Sequence, residues 1–267
     1  MTIQIQIAAK TLSDALESIL LKGKYFMSGG TSRSDILSDY VTITAMSQLP
    51  SEHQAGWDGN YIQLTNGNAT TVCFVRVPVA VLAVHGEICV EISKLLSFLK
   101  QFGKDEIVLR EIQGKILIQS LTWLKKEAYL PTWLNHPYPA SINKGKNLTL
   151  GTEVPYVFGK TAYHTMFSTT NIGLLEAMKG CDTVGNSKYR FELDTENIFS
   201  ISSTEGVSSF KTNIPGTIVG EPSTAEMTGP FANFFSVGLV NVFIQDDRPL
   251  IFSSADRLLV KAPYIEG

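Results

Sequence analysis

The sequence predicts an α+β protein made of two halves of like topology, each an antiparallel sheet structure carrying two helices. Three observations carry that prediction. Short runs alternate apolar and polar residues and are bounded by Gly, Asn, Asp and Pro, the pattern of half-buried strands and tight turns. Helical periodicity is confined to four short stretches. Those stretches take corresponding places in two halves, each reading strand, helix, several strands, helix, strand pair. This is a repeat of element order and not of sequence, and it favours helices gathered on one face of antiparallel sheets. The reading divides the chain into a domain at 1–130, a connector at 131–160 and a domain at 161–267.

In order, residues 2–8 alternate Ile with polar residues and predict a strand. Residues 11–23 predict a helix with Leu12, Leu16, Ile19 and Leu20 on one face, Thr11 as its cap and Gly23 as its stop. An irregular insertion at 24–40 precedes a strand at 40–46 and a polar loop at 47–59. Strands at 61–65 and 72–77 flank Asn66-Gly67-Asn68, and a short strand at 87–91 leads into a helix at 92–102 ended by Gly103. Residues 105–110 and 115–120 read as a hairpin around Gln113-Gly114. Pro131, Pro137, Pro139 and Pro155 punctuate the connector. The second half repeats the scheme with a strand at 163–169, a helix at 171–184 and a hairpin of 189–193 with 198–203. Strands at 210–214 and 225–228 and a short helix at 230–237, with Pro230 in its first turn, follow.

Composition limits the function. The 267 residues are 44% apolar and 18% charged, enough for a sizeable core, and no run approaches the ~18 apolar residues of a membrane span. The first residues read as a strand and not as a signal peptide, which points to the cytoplasm, or the nucleus in a eukaryote. Cys73, Cys89 and Cys181 are scattered and odd in number, as for buried reduced thiols. Asn68-Ala69-Thr70 and Asn147-Leu148-Thr149 fit a glycosylation pattern that such a compartment would leave unused. His53, His85, His136 and His164 are far apart, with no metal-ligand spacing. Gly159-Lys160-Thr161 resembles the end of a phosphate loop, but Val154 stands where its first glycine belongs. No cofactor, metal or catalytic residue is expected, and the chain reads as a non-enzyme.

The last thirty residues are the most specific. Two alternating runs flank a turn at Asp246-Asp247-Arg248-Pro249, and a short strand then closes on Ala262-Pro263. This tail resembles the C-terminus of sliding clamps of the proliferating-cell nuclear antigen family. The segments at 58–77, 92–107, with Lys100 and Gly103-Lys104-Asp105-Glu106, and 227–237, with Asn233-Phe234-Phe235, resemble that family in the same order. The resemblance implies a DNA-clamp fold: two similar domains per subunit, closed into a homotrimeric ring with helices lining the hole and sheets outside. It implies a processivity factor for DNA replication and repair that encircles duplex DNA without reading sequence. DNA polymerase, a clamp loader and other clamp-binding peptides would be its partners. A net charge of −3 would then be compatible with DNA binding, because the lining alone meets the phosphates.

By the same resemblance, Lys94, Lys100, Lys104 and Lys179 face DNA, while the first helix places Ser13 and Asp14, and the fourth Val237, where the family carries basic residues. The partner-peptide groove falls on Thr65 and Thr70, on Leu130, Trp133 and Leu134, and on Val260, Ala262 and Pro263; its loop and tail are more polar than the family's. Trp133 has a second reading, as a pin holding the connector to its own domain. For ring closure the matching edge strands are 115–120 and 198–203, with Ile116, Ile118, Phe199 and Ile201 as contacts. Those side chains have a second reading as core, leaving backbone pairing alone at the interface. The sparse basic lining keeps an alternative open: a clamp-fold interaction protein, as a viral or checkpoint-type paralogue or one subunit of a heteromeric ring, with weak or no sliding.

Overall fold

The computed structural model describes residues 3–21, 39–46, 60–68, 70–84, 86–133, 150–185, 188–229, 234–235 and 238–264. The 24–40 insertion up to residue 38, the loop at 47–59, most of the connector including Leu134, and most of the expected helix at 230–237 lie outside them. The chain forms two compact units. The fold is α+β, dominated by antiparallel sheets.

The first unit runs β1 (Gln4–Ala8), α1 (Ala9–Ser18), β2 (Tyr40–Met46), β3 (Tyr61–Gly67), β4 (Thr71–Pro78), β5 (Val81–Val84), β6 (Gly86–Glu91), α2 (Ile92–Phe102), β7 (Glu106–Ile112), β8 (Lys115–Ser120) and β9 (Glu127–Pro131). One sheet has the order β5-β1-β7-β8-β9 and another β4-β3-β2-β6. The alternation read at the N-terminus is realised, with Ile3, Ile5 and Ile7 buried and Gln4 and Gln6 less so.

Helix α1 begins two residues earlier than expected and ends sooner. Chain entry is set by β1 feeding directly into the helix at buried Ala9, so Thr11 lies exposed in the first turn and caps nothing. Its C-terminus is finished by Asn66, whose Nδ2 donates to the Ile19 carbonyl at 2.9 Å. That bond satisfies one of the carbonyls every helix end leaves open, so no glycine is needed. α1 and α2 pack together, and Leu12, Leu16, Leu95 and Leu99 on them are essentially buried. α2 ends where expected, with Gly103 at φ 61° donating its N–H to Leu99.

The second unit runs β10 (Tyr156–Phe158), β11 (Thr161–Tyr163), β12 (Thr165–Thr170), α3 (Asn171–Asp182), β13 (Lys188–Leu193), β14 (Phe199–Glu205), β15 (Ser208–Asn213), β16 (Thr217–Val219), β17 (Ser223–Thr228), β18 (Leu239–Ile244), β19 (Leu250–Ser253) and β20 (Arg257–Lys261). Its sheets have the orders β16-β12-β18-β19-β20 and β15-β14-β13-β17, and β10-β11 is a separate hairpin that straddles the end of the expected connector at residue 160. Thr170 caps α3, its Oγ1 accepting the Gly173 N–H at 3.1 Å. The Asp194 carboxylate accepts the Glu196 and Ile198 N–H groups, both at 2.9 Å, and shapes the β13–β14 turn with Asn197 at φ 59°. The core is aromatic: Phe167 stacks on Phe199 at 3.7 Å, and Phe191 meets Phe252 edge-on at 5.6 Å.

All three cysteines are buried. Burial pushes the Cys89 thiol up to about 12 and Cys181 to about 11. An unfolded thiol ionises near about 8.5. Ionisation is therefore easier in the unfolded chain, and stability is expected to fall as pH rises from that value toward 12. Below it the contribution is intact. Alkylation by iodoacetamide at pH 8 should leave the native thiols unmodified and label all three after unfolding; rapid labelling of the native protein would contradict their burial.

Candidate functional site

The helices present three faces to solvent, and their charges differ. On α1 the exposed residues are Lys10, Thr11, Asp14 and Glu17; Ser13 is 8% exposed and belongs to the buried side. The expectation that Ser13 occupies a lining position is therefore corrected. Lys10, which sequence reasoning missed, takes a place on that face. It was missed because the helix was started at Thr11, and it is held by Asp14 one turn on. On α2 the exposed residues are Ser93, Lys94, Ser97, Lys100 and Gln101. Lys94 pairs with Glu91 at 2.6 Å. The hydrogen bonds Glu91 receives from Lys94 and Ser93 hold its carboxyl below the usual range, and the same pair raises the Lys94 ammonium. Lys100, and Lys104 just past the helix, are exposed and make no ion pair among the described residues. On α3 the exposed residues are Ile172, Glu176, Lys179 and Asp182. All four predicted lysines are thus solvent-facing. Only α2 carries an excess of cations, while α1 and α3 each carry two acids against one lysine.

The strands expected to close a ring are corrected. β8 is interior, paired to β7 on one side and β9 on the other, and β14 is interior between β13 and β15. Ile116, Ile118, Phe199 and Ile201 are each at most 1% exposed and fill the cores of their own units, so their side chains contact no second subunit. The edge strands nearest them are β9 and β15, while β5 and β17 form the opposite edges of the same two sheets. The outward groups of β9 and β15 follow from the ladders. Ser120 donates to Lys126 and Thr132 to Gly114, so β9 turns Ala128 and Leu130 toward β8 and the backbone of Glu127, Tyr129 and Pro131 outward. Pro131 is tolerated because its missing N–H falls on the open side. Ile214 donates to Phe199, which by the same alternation turns Ser209, Lys211 and Asn213 outward on β15.

α3 supports β15 from beneath, and Gly180 is the close point. A Cβ there would meet the Phe210 ring at 2.3 Å. Gly180→Ala is expected to destabilise the protein by about 1–3 kcal/mol through overpacking, measurable as a lowered denaturation midpoint. An unchanged midpoint would mean that Phe210 swings away freely.

The predicted groove residues fall in both units. In the first, Thr65 and Leu130 are buried and offer no open side chain. Trp133 stacks flat on Tyr40, ring centroids 4.4 Å apart, and donates its N–H to Cys89. It is thereby fixed to its own unit, yet keeps 44% of its surface exposed. Leu134 lies outside the described residues. In the second unit, Thr70–Val72 group with the tail: Ala262 donates its N–H to the Thr70 carbonyl at 2.8 Å, and Lys261 Nζ donates to Thr71 Oγ1 at 3.1 Å. Val260 is buried; Thr70 is exposed, and Ala262 and Pro263 partly so. Beyond them Tyr264 donates its N–H to Glu226, and its ring lies under Lys188 Nζ at 4.3 Å.

Among the described residues no group of three or more His, Cys, Asp or Glu is placed to hold a metal, and no helix is long and apolar enough to cross a membrane. Two units of one topology, each with a solvent-facing helical surface and a sheet edge, define a class: this is the fold of the DNA sliding clamps. Among solved structures it matches the β chain of DNA polymerase III from Streptococcus pneumoniae with a TM-score of 0.71 and 12% identity, over 98% of this chain and 65% of that one. It also matches two archaeal PCNA structures. That of A. fulgidus, bound to the C-terminal region of FEN-1, has a TM-score of 0.65 and 12% identity, over 99% of both chains. That of Thermococcus kodakaraensis has a TM-score of 0.65 and 13% identity, over 98% of this chain and 100% of that one. The chain therefore spans just under two thirds of the bacterial β chain, but the length of an archaeal PCNA subunit. At these identities the likeness is one of fold. No family model matches the chain, and no curated protein matches it in sequence.

Proposed function

We propose that this chain is a sliding-clamp subunit, a DNA-encircling processivity factor that tethers replication and repair proteins and carries no catalysis of its own. The observation that carries the reading is the end-to-end correspondence with archaeal PCNA, in which nearly all of both chains is matched. In this reading β9 of one subunit pairs antiparallel with β15 of the next, the two outward backbone ladders completing each other. Closure leaves neither edge open, which is how a ring avoids indefinite edge-to-edge growth. The α1, α2 and α3 faces line the hole, with Lys100, Lys104 and Lys179 as the free cations. Grip is topological, aided by weak, sequence-independent phosphate contact. Polymerase, clamp loader and other clamp-binding peptides dock outside, on Thr70, Ala262 and Pro263 of the second unit or on Trp133 of the first; the C-terminal region of FEN-1 is bound to A. fulgidus PCNA in the matched structure. The protein would work in the cytoplasm or nucleus.

A second reading rests on the acids of α1 and α3: a clamp-fold interaction protein, or one subunit of a mixed ring, that does not hold DNA by itself. Solution mass tests the assembly. Light scattering over a dilution series should give a species near three times the 29.3 kDa chain mass. A monomer at every concentration would contradict a self-closing ring.

A further inference from the structure

The loop joining β8 to β9 exposes more apolar surface than any core requirement explains. Trp123 is 92% exposed, and Leu121 and Leu124 about half. The loop is nevertheless fixed at its base. Ser120 donates its N–H to Lys126 and Leu121 to Glu106, at 3.0 and 2.9 Å. Lys126 Nζ reaches the Gln101 carbonyl at 3.0 Å and the Asp105 carboxylate at 3.1 Å. The Ser120 hydroxyl also donates to Asp105 at 3.3 Å. The fold thus holds an indole out into water beside the C-terminal end of α2.

Its charged frame is selective. Asp105 is neutralised by Lys126, and Glu127 accepts a hydrogen bond from Gln119 at 2.9 Å. Lys104 and Lys125 are exposed with no ion pair among the described residues, and Glu106 is the one framing acid left without a side-chain partner there. With Lys100 on the same helix end, the loop and the helix end that anchors it carry three cations without an ion pair among the described residues, against a single such acid.

We propose that Trp123, with Lys104 and Lys125, is a stacking site for single-stranded DNA, taking the face of an unpaired base while the lysines meet the flanking phosphates. An exposed aromatic among cations is the arrangement that binds single strands without reading sequence. A lysine frame favours this occupant over an apolar protein surface, which would leave Lys104 and Lys125 unpaired. The inference relies on the clamp reading for DNA being present at this end of α2, and on the loop's own chemistry for the grip.

The test is anisotropy of a fluorescent oligo-dT of about 20 nucleotides, long enough to cover one such platform, with the full-length protein at low salt. Trp123→Ala should weaken binding by about 5- to 150-fold, the range for loss of one base stack. Trp123→Phe should retain most of it. The double variant Lys104→Ala/Lys125→Ala should flatten the salt dependence by about 1.4 in slope. Trp123 makes no core contact, so an unchanged melting curve is expected of each variant. Equal binding by Trp123→Ala and wild type overturns the proposal, as does a wild type that is retained on circular DNA but ignores oligo-dT. Loss of self-association by Trp123→Ala with unchanged oligo-dT binding would overturn it in favour of a contact between copies. Trp123-dependent binding by a protein that is not retained on circles would sink the clamp reading and leave the stacking site standing.

Discussion

Lys211→Pro is expected to convert the self-associated protein into a monomer while leaving its fold intact. The N–H of Lys211 points away from β14, so proline removes a donor from the open edge and none from the protein's own ladder. Tyr129→Pro should do the same from the other side, deleting the outward N–H of β9. Each ring contact would lose part of a short backbone ladder, and a proline ring would stand where the neighbouring strand must approach. Sedimentation at micromolar concentration should shift wholly to the single-chain mass, with far-ultraviolet circular dichroism unchanged. Ser202→Pro, on interior β14, should instead unfold the second unit. A Lys211→Pro protein that stays trimeric and folded would show that β15 is not the closing edge.

The second large effect concerns the helix faces. Lys100→Glu combined with Lys179→Glu should abolish DNA binding that survives moderate salt, and lower the salt slope of duplex binding by about one for each lysine that meets a phosphate. The opposite change should show as a gain. Asp14→Asn frees Lys10 from its ion pair, and Glu176→Gln removes an acid beside Lys179, so this double variant should bind duplex DNA more tightly and with a steeper salt dependence. If neither pair of substitutions changes the slope, these helices do not face DNA, and the interaction-protein reading gains.

The residues explain what could be read in advance. The closing strands β18, β19 and β20 were legible because alternation, an Asp-Asp-Arg-Pro turn and a terminal Ala-Pro all agree there. α2 was legible because its leucine stripe and Gly103 point to the same boundaries. β9 was not. It presents only Ala128 and Leu130 inward, and Pro131 with Trp133 beyond it reads as connector until the ladder shows that proline facing the open edge. Missing β9 placed the expected sheet edge one strand inward, onto Ile116 and Ile118, whose regular alternation in fact marks an interior strand. β15 was read as a strand at 210–214, but the edge was placed on Phe199 and Ile201, because the Ser, Lys, Thr and Asn residues of β15 carry little apolar signal. β10, β11 and β16, at three residues each, are too short for periodicity to register. The exposure of the lysines followed from their place opposite the buried stripe. The Lys94–Glu91 and Lys10–Asp14 pairs, which decide how much charge is free, depend on helix starts that sequence sets only to within a few residues.

Topological retention tests the central claim most directly. The protein would be loaded onto nicked circular duplex DNA with a clamp loader, separated from free protein by gel filtration, and followed after the circle is cut once. Enclosure predicts co-elution with the closed circle in salt that disrupts simple charge contacts, and rapid loss once ends are made. Equal persistence on circular and linear DNA, or no retention on either, would contradict a ring that holds DNA by encircling it.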